Sequence, residues 1–420
     1  MVRPVFFYVV FWGEQYRQYF CNVLLRSLLA PGNLPRLDRS AGHKFLICCP
    51  GADWAALQSH PAAVGASRYL ELVHVLIEPP SVGVNSVEHM AEGHSRAAAM
   101  CQEARAIGSL LHPDMVFADG FVASLERYIA SHMEVVLAPA LRLAETPLFA
   151  SLSLNPNRES GEPLVLRPRK VAAAVIASLH DEIIECEMHG PRLSMLPNCV
   201  WWRNRDRGLL VHSFTWSPLL IDHAAISEHV LDGLRGPIPD GDYIARNFSA
   251  NARIAFVGDS DDIAFASWTP DAVGARERRR SILQNLPILG RALRDAILRR
   301  TYLHYTRDFY PFGDHIKAKG FQVPLKIHID DLDVSWNEIA VRADRDLAVP
   351  VGDLFEPPIE AATWRTTVLD RIIPALKPYE FMQRILSSSR FVMRRLVAAL
   401  RGDSDARNWI VNRVRARVGL

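Results

Sequence analysis

The stretch Leu111 to Gly120, LHPDMVFADG, runs an apolar segment directly into Ala118-Asp119-Gly120. Met115-Val116-Phe117 is too short to distinguish strand from helix by itself, but Pro113 before it and Gly120 after it favour a short strand. A carboxylate that follows such a strand lies at the rim of the sheet and faces whatever binds there. We therefore predict a central strand at 115–117 and a ligand-facing side chain at Asp119.

Strand and helix patterns alternate on both sides of this stretch. This alternation predicts a parallel sheet with helices on both faces, an α/β, Rossmann-like fold that binds a nucleotide at its edge. Asn85 and Glu88 are spaced as a helix-capping box. The predicted strands are 5–12, 44–49, 70–77, the segment from Leu111 and 134–138, and the predicted helices are 13–30, 53–64, 85–107 and 121–132.

The regular alternation of strand and helix patterns ends after residue 142. Four prolines between 142 and 170 predict a long irregular connection, and 199–202 with 209–221 predict a hairpin. Beyond residue 275 the chain is mostly helical in pattern and basic. We predict a catalytic domain over 1–274, with halves of about 1–142 and 143–274, and a mostly helical region over 275–420.

Composition indicates a globular protein. The 420 residues are 49% hydrophobic and 22% charged, with a formal net charge of +2. Six cysteines without CxxC spacing, several in apolar segments, indicate a reducing cytoplasm. The apolar run that ends at Trp12 lacks a cleavage-site pattern and is too short to span a bilayer, so we predict a first strand.

Arginine is concentrated toward the C-terminus. Eight arginines lie between Arg276 and Arg300, and eight more between Arg390 and Arg417. Apolar residues at helical spacing separate them, which predicts peripheral contact with an anionic membrane; helices packed on the body with solvated arginines are the alternative. No nucleic-acid partner is predicted, because zinc-finger and RNA-recognition motifs are lacking.

The segment 93–120, GHSRAAAMCQEARAIGSLLHPDMVFADG, resembles part of the GT-A-type glycosyltransferases. In that family a helix with small residues faces the nucleotide and leads to a strand that carries a metal-binding Asp-x-Asp. The resemblance covers about residues 5–268. It implies transfer of a sugar from a nucleotide-sugar donor to a glycan or lipid-linked acceptor, with the acceptor held by the half at 143–274. It places the donor across Trp12, Gly13, Glu14, His94, Arg96, Asp119 and Gly120.

The sequence departs from the family at the Asp-x-Asp. Asp119 has Phe117 and Phe121 at the paired positions. Family members bind the donor diphosphate through Mn or Mg on that motif, or through basic side chains instead. The resemblance therefore leaves two routes: a metal ion held by Asp119, or neutralisation of the diphosphate by Arg96.

Two further acidic clusters are candidates for chemistry. Asp240-Gly241-Asp242 has the Asp-x-Asp spacing but follows the hairpin; either carboxylate could serve as general base if the enzyme inverts configuration, and an ordinary turn is the alternative. The run 259–262, DSDD, follows a predicted strand and fits either a cation site or a solvated loop.

Each candidate also has a structural interpretation. Asp119 suits a turn or a helix N-cap, Trp12 suits a core, and Arg96 suits a solvated helix face. A different class of function also stays open, namely a non-catalytic scaffold or binding protein built on a degenerate transferase-like sheet.

Overall fold

The structure is a computed structural model that describes residues 3–81, 86–191, 193–231, 241–249, 251–270, 287–308 and 315–355. The strands are β1 Val5–Val10, β2 Lys44–Cys49, β3 Glu71–Leu76, β4 Ile107–Leu110, β5 Met115–Phe117, β6 Val135–Pro139, β7 Arg142–Ala144, β8 Cys199–Asn204, β9 Gly208–Ser213, β10 Trp216–Asp222, β11 Ile254–Phe256, β12 Phe265–Thr269 and β13 Leu325–His328.

The helices include short π and 3-10 segments. The α-helices are α1 Glu14–Tyr19, α2 Leu25–Leu28, α3 Gly51–Gln58, α4 Pro61–Ala66, α5 Ser86–Glu103, α6 Phe121–Ala130, α7 Glu145–Leu152, α8 Pro168–Ala177, α9 Asp181–Ile184, α10 Gly241–Asn247, α11 Pro287–Leu303, α12 His315–Phe321 and α13 Val334–Phe355. The π segments are Phe20–Leu24 and His304–Asp308, and the 3-10 segments are Leu34–Arg36, Arg39–Ala41 and His223–Ala225.

A seven-stranded sheet forms the centre, in the order β11-β6-β10-β4-β1-β2-β3. All its strands run parallel except β10, which is antiparallel to both β4 and β6. Alternate residues of β1 explain its unbroken apolar sequence: Phe7 packs in the core with Phe20 on one face, and Tyr8 packs with Cys101 of α5 on the other. The predicted mixed α/β, Rossmann-like architecture is confirmed at this level.

The order of the strands creates a switch point. From β1 the chain adds β2 and then β3 on one side, and helix α5 then returns it to β4 on the other side of β1. In open α/β sheets a crevice forms outside the carboxyl ends of two such strands, and ligands bind there. A ligand site is therefore expected at the ends of β1 and β4.

The predicted strand at 115–117 is confirmed, but its predicted central position in the main sheet is wrong. Those residues form β5, which lies in a second sheet, β5-β12-β7, and pairs antiparallel with β12. The true fourth strand is β4, which includes Gly108 and Ser109, two residues that form strands poorly. Gly108 is needed there, because a Cβ at this position would lie 2.7 Å from Nε2 of His223.

The second half of the chain is only partly as predicted. The hairpin is confirmed as β8 and β9, but 209–221 contains two strands, and the second, β10, joins the main sheet. The connection at 142–170 contains β7 and α7 rather than being irregular throughout.

A third sheet, β13-β9-β8, packs against α11 and α13. The expected boundary near 275, the capping box at Asn85 with Glu88, and the arginine-rich helix after 390 lie outside the described residues or side chains. The domain division therefore stays a prediction. Among the described helices, none combines the length and apolar character needed to cross a membrane. All six cysteines are buried free thiols.

Candidate functional site

The candidate site is the switch point of the main sheet, at the carboxyl ends of β1 and β4. Trp12 and Gly13 follow β1, and His112 and Asp114 follow β4. His94 comes from α5, the helix that connects the two sides. Because β1 and β4 are parallel neighbours, their carboxyl ends lie at the same edge. The structure thus joins three predicted residues to two that the sequence patterns did not single out.

Gly13 forms a fixed turn at the end of β1. Its φ of 84° lies in the left-handed region that favours glycine, and a Cβ there would meet no atom within 4 Å. Its amide donates to Oδ2 of Asp53 at 2.9 Å, and Arg17 donates to Oδ1 of the same carboxylate at 2.6 Å. These bonds hold the loop while the space beside Gly13 stays open for a ligand.

Trp12 and Glu14 flank that turn. The half-buried Trp12 ring meets the His89 ring edge-on, with centroids 5.1 Å apart. Glu14 is exposed in the first turn of α1, where it accepts a hydrogen bond from Gln18. Trp12 therefore offers part of an aromatic face at the switch point, whereas Glu14 faces solvent.

His94 is 1% exposed, and neither ring nitrogen has a hydrogen-bond partner among the described residues. Its ring lies 6.5 Å from that of Tyr8 and 6.1 Å from that of His112, centroid to centroid. Burial, reinforced by His112, lowers the pKa of His94 to about 3. His94 is therefore neutral at physiological pH and can donate or accept one hydrogen bond to a ligand.

Asp114 is the titratable carboxylate of the switch point. Burial raises its pKa to about 6, and burial lowers the pKa of neighbouring His112 to about 4. Burial and then the charges of Asp114 and Glu145 raise the pKa of Tyr16, so the tyrosine lies within the electrostatic reach of Asp114. A carboxylate whose pKa is near neutrality can exchange a proton with a hydroxyl group.

The sequence contains a signal for these two residues. His112-Pro113-Asp114 places two titratable side chains two positions apart, directly after the apolar run that ends at Leu111. Pro113 suggests that a new strand starts just after it. On that interpretation residues 112–114 are assigned to the beginning of the new strand and not to a loop. Because β4 ends before His112, the tripeptide is the loop at the carboxyl end of that strand.

Arg96 is half exposed on α5 and already engaged. Its Nη1 donates to the carbonyl of Leu76, the last residue of β3, at 2.6 Å, and Nη2 pairs with Glu92 at 2.5 Å. Such an exposed i,i+4 pair contributes little to stability. The diphosphate role of Arg96 stays a prediction that requires it to exchange these partners.

Asp119 is held in the turn before α6. Its Oδ1 accepts from the amide of Gly32 at 2.6 Å, and its own amide donates to the carbonyl of Leu166 at 2.7 Å. Gly120 then begins the helix with a φ of 102°. A donor set of one carboxylate fits a turn better than a metal centre, which needs several ligands. The metal and donor roles of Asp119 and Gly120 stay predictions.

Asp119→Ala should lower the free energy of unfolding by about 1–3 kcal/mol, because it leaves the Gly32 amide without its charged acceptor. Asp119→Asn keeps an oxygen at this place and should lose less. Urea unfolding of the three proteins measures the difference. If Asp119 acts only in the turn, any enzymatic activity per folded molecule stays at the wild-type level. An activity loss in both variants, with full stability in the Asn variant, would instead assign it to catalysis.

Two predicted bases are not placed by the structure. Asp240 lies outside the described residues, and Asp242 falls in α10 without a described side chain. Their role as general base stays a prediction. Of the DSDD cluster, Asp262 accepts from Arg127 and Tyr128, whereas Asp259 and Asp261 lie beside His328.

No protein-family model matches the sequence, and a search of curated proteins finds no match. Among solved structures the chain is similar to TarS from S. aureus, with 10% identity and a TM-score of 0.34, over 72% of this chain and 44% of TarS. It is also similar to a Bacillus anthracis protein described as a putative glucose-1-phosphate thymidylyltransferase in complex with a sucrose, with 12% identity and a TM-score of 0.20, over 34% and 57% of the two chains. The chain thus spans less than two thirds of either protein. Similarity of this size carries no inference about activity.

Proposed function

We propose that this protein is a GT-A-type glycosyltransferase that moves a sugar from a nucleotide-sugar donor to a glycan or lipid-linked acceptor. The observation that carries the proposal is Asp114, a carboxylate with a pKa of about 6, beside His112 at the switch point of a mostly parallel sheet. The resemblance of residues 93–120 to that family supports the same conclusion.

The donor lies along the carboxyl edge of β1 and β4 in this proposal. The nucleobase of the donor packs on the Trp12 ring, and the backbone of Gly13 lets the donor approach closely. The transferred sugar reaches His94 and Asp114, where a neutral imidazole and a carboxylate can bind hydroxyl groups. Arg96 of α5, which contacts the last residue of β3, is the basic side chain for the diphosphate if it leaves Glu92.

The reaction needs a proton acceptor. The bond from the anomeric carbon to the diphosphate oxygen breaks, a bond to the acceptor oxygen forms, and the acceptor hydroxyl loses its proton. We assign that proton to the carboxylate of Asp114, which is ionised above about pH 6. Asp240 and Asp242 remain the alternative bases for an inverting reaction.

The other parts of the proposal concern regions that the structure describes less fully. Residues 143–274 hold the acceptor, and the arginine-rich region within 275–420 contacts an anionic membrane surface from the cytoplasm. Mn or Mg assists the departure of the diphosphate if the enzyme uses a metal. Each of these stays a proposal.

A donor panel tests the function. We expect one class of nucleotide-sugar to raise the thermal midpoint of unfolding and to be hydrolysed slowly without acceptor. Assays with Mn²⁺, with Mg²⁺ and with chelator decide whether an ion is required. If no nucleotide-sugar stabilises the protein at millimolar concentration, the transferase proposal fails and the scaffold interpretation replaces it.

Trp12→Ala tests where the donor binds. Loss of base stacking should weaken nucleotide binding by about 1–3 kcal/mol, roughly ten-fold or more in Kd. Trp54→Ala is the matched control, because Trp54 is also half buried but stacks on His74, with centroids 4.8 Å apart. Isothermal titration with the donor identified by the panel measures both. Equal affinities in the two variants would place the base elsewhere.

A further inference from the structure

A second group of titratable side chains lies outside the switch point. Asp259 and Asp261 come from the loop that follows β11, and His328 is the last residue of β13. One ligand atom from each lies within 4.8 Å of the others. His328 is 2% exposed, and the two carboxylate side chains are about one-third exposed, at 33% and 40%. A buried imidazole thus faces two carboxylates that solvent can still reach.

The orientation of the His328 ring is fixed from outside this group. Nδ1 lies 2.6 Å from the carbonyl oxygen of Asp330, which can only accept, so Nδ1 carries the hydrogen. In the neutral ring Nε2 then carries a lone pair and no hydrogen. Nε2 lies 2.8 Å from Oδ1 of Asp259. The same Oδ1 accepts the amide of Asp261 at 2.8 Å, but the two lone pairs still repel each other unless a positive charge lies against them.

The distances match the spacing of metal ligands. Nε2 of His328 is 2.8 Å from Oδ1 of Asp259 and 3.9 Å from Oδ2 of Asp261. Ligand atoms bound at about 2.1 Å are about 3 Å apart at right angles and up to about 4.2 Å apart on opposite sides of the ion, so both distances fall in this range. A histidine whose other nitrogen donates to a backbone carbonyl is also the usual arrangement of a metal-binding imidazole.

We propose that Asp259, Asp261 and His328 bind a divalent cation of the Mn²⁺ and Zn²⁺ class. One imidazole and two carboxylates favour such ions over Ca²⁺, which prefers oxygen ligands only. The site is distinct from the switch point at β1 and β4, and it assigns a use to two acids of the DSDD sequence. The third, Asp262, is bonded to Arg127 and Tyr128 and takes no part.

The position of the site gives the ion a structural role. Asp259 follows a strand of the seven-stranded sheet, and His328 belongs to the sheet of β8, β9 and β13. The ion therefore clamps the two sheets together and adds its binding free energy to the stability of the protein. Arg169 competes for the same oxygen, because its Nη2 lies 3.0 Å from Oδ2 of Asp261 and 2.7 Å from Asp331.

The test uses the full chain after treatment with chelator, with Mn²⁺ as the probe. Paramagnetic resonance of free Mn²⁺ should fall by one equivalent per chain, the thermal midpoint should rise, and Zn²⁺ but not Ca²⁺ should displace the bound Mn²⁺. Asp259→Asn and Asp261→Asn should each weaken Mn²⁺ binding about ten-fold or more, since each removes a charged ligand. Asp38→Asn, an exposed acid bonded to Ser40, is the control and should bind as wild type.

Two further variants show whether Mn²⁺ binds at this cluster or at another acidic group of the protein. Arg169→Gln should tighten Mn²⁺ binding several-fold, because the competing cation is gone from Asp261. Asp114→Asn should bind Mn²⁺ as wild type does, so the clamp can fail or succeed independently of the transferase proposal. No uptake of Mn²⁺ or Zn²⁺, or equal uptake in Asp259→Asn, would overturn the proposal and leave only a hydrogen bond between His328 and Asp259.

Discussion

Asp114→Asn is expected to reduce sugar transfer by at least about a hundred-fold, because removing a general base typically costs roughly 10²–10⁴ in rate. The replacement keeps the shape of the side chain and one oxygen acceptor, so binding of the donor should change little. Steady-state rates with the donor identified by the panel measure the effect. Asp206→Asn, which changes an exposed acid in the β8–β9 turn, is the matched control and should retain the wild-type rate.

The stability of this variant distinguishes lost chemistry from a damaged fold. Burial raises the pKa of Asp114 to about 6, above its value in the unfolded chain, so ionisation disfavours folding as the pH rises through 6. At pH 7 this opposes folding by up to about 3 kcal/mol, which the neutral asparagine avoids. We therefore expect an inactive protein at least as stable as wild type. A transfer rate within about two-fold of wild type would remove Asp114 from the mechanism.

The second large effect is loss of stability in mild acid. Burial is the first cause that lowers the pKa of His94 and His223 to about 3 and that of His112 to about 4. In the unfolded chain these histidines titrate near pH 6.5, so the unfolded state binds more protons between about pH 6.5 and pH 4. The three neutral histidines therefore leave the free energy of unfolding undiminished above that range, and the free energy of unfolding falls as the pH is lowered through it.

The expected loss between pH 7 and pH 5 is roughly 4–6 kcal/mol, about 2 kcal/mol per histidine less the relief at Asp114. That is a large fraction of the roughly 5–15 kcal/mol typical of folded domains. Urea unfolding at a series of pH values measures it.

His223→Leu isolates one of the three contributions. Its ring nitrogens have no hydrogen-bond partner among the described residues, so leucine should remove about one proton from the pH dependence. Ile226→Val, in the adjacent core, is the control and should lower stability by about 1 kcal/mol at every pH. If stability is flat between pH 7 and pH 5, these rings are not buried as neutral groups.

The sequence predicts most of the first half of the fold for a simple reason. A strand buried on both faces must be apolar throughout, and β1 at Val5–Val10 and β2 after its first residue, Lys44, have that composition. Helices between such strands bury one stripe and show the helical period. These requirements are local, so the order of strands and helices up to β3 can be predicted from the residues alone.

The remaining part depends on contacts between distant residues. Gly108 weakens the strand signal of β4. A glycine is needed there because the His223 ring, more than a hundred residues later in the chain, leaves no room for a Cβ. β10 resembles a continuation of the hairpin, although its partners are β4 and β6. The predicted site shifts with the strand, because Asp119 follows β5 whereas Asp114 follows β4. The carboxylate expected at the end of the fourth strand, Asp119, and the one found after β4, Asp114, are thus five positions apart.

The reversed strand β10 determines when β6 can join the central sheet, because β10 lies between β6 and β4. β6 is flanked by β10 and β11, so a nascent chain that has emerged only as far as residue 142 holds β6 with neither neighbour. The strands β1 to β4 can pair during synthesis. β6 stays unpaired until roughly eighty more residues, which include β10, have been synthesised. Translation speed over the segment between β6 and β10 therefore governs how long an unpaired apolar strand is exposed to aggregation.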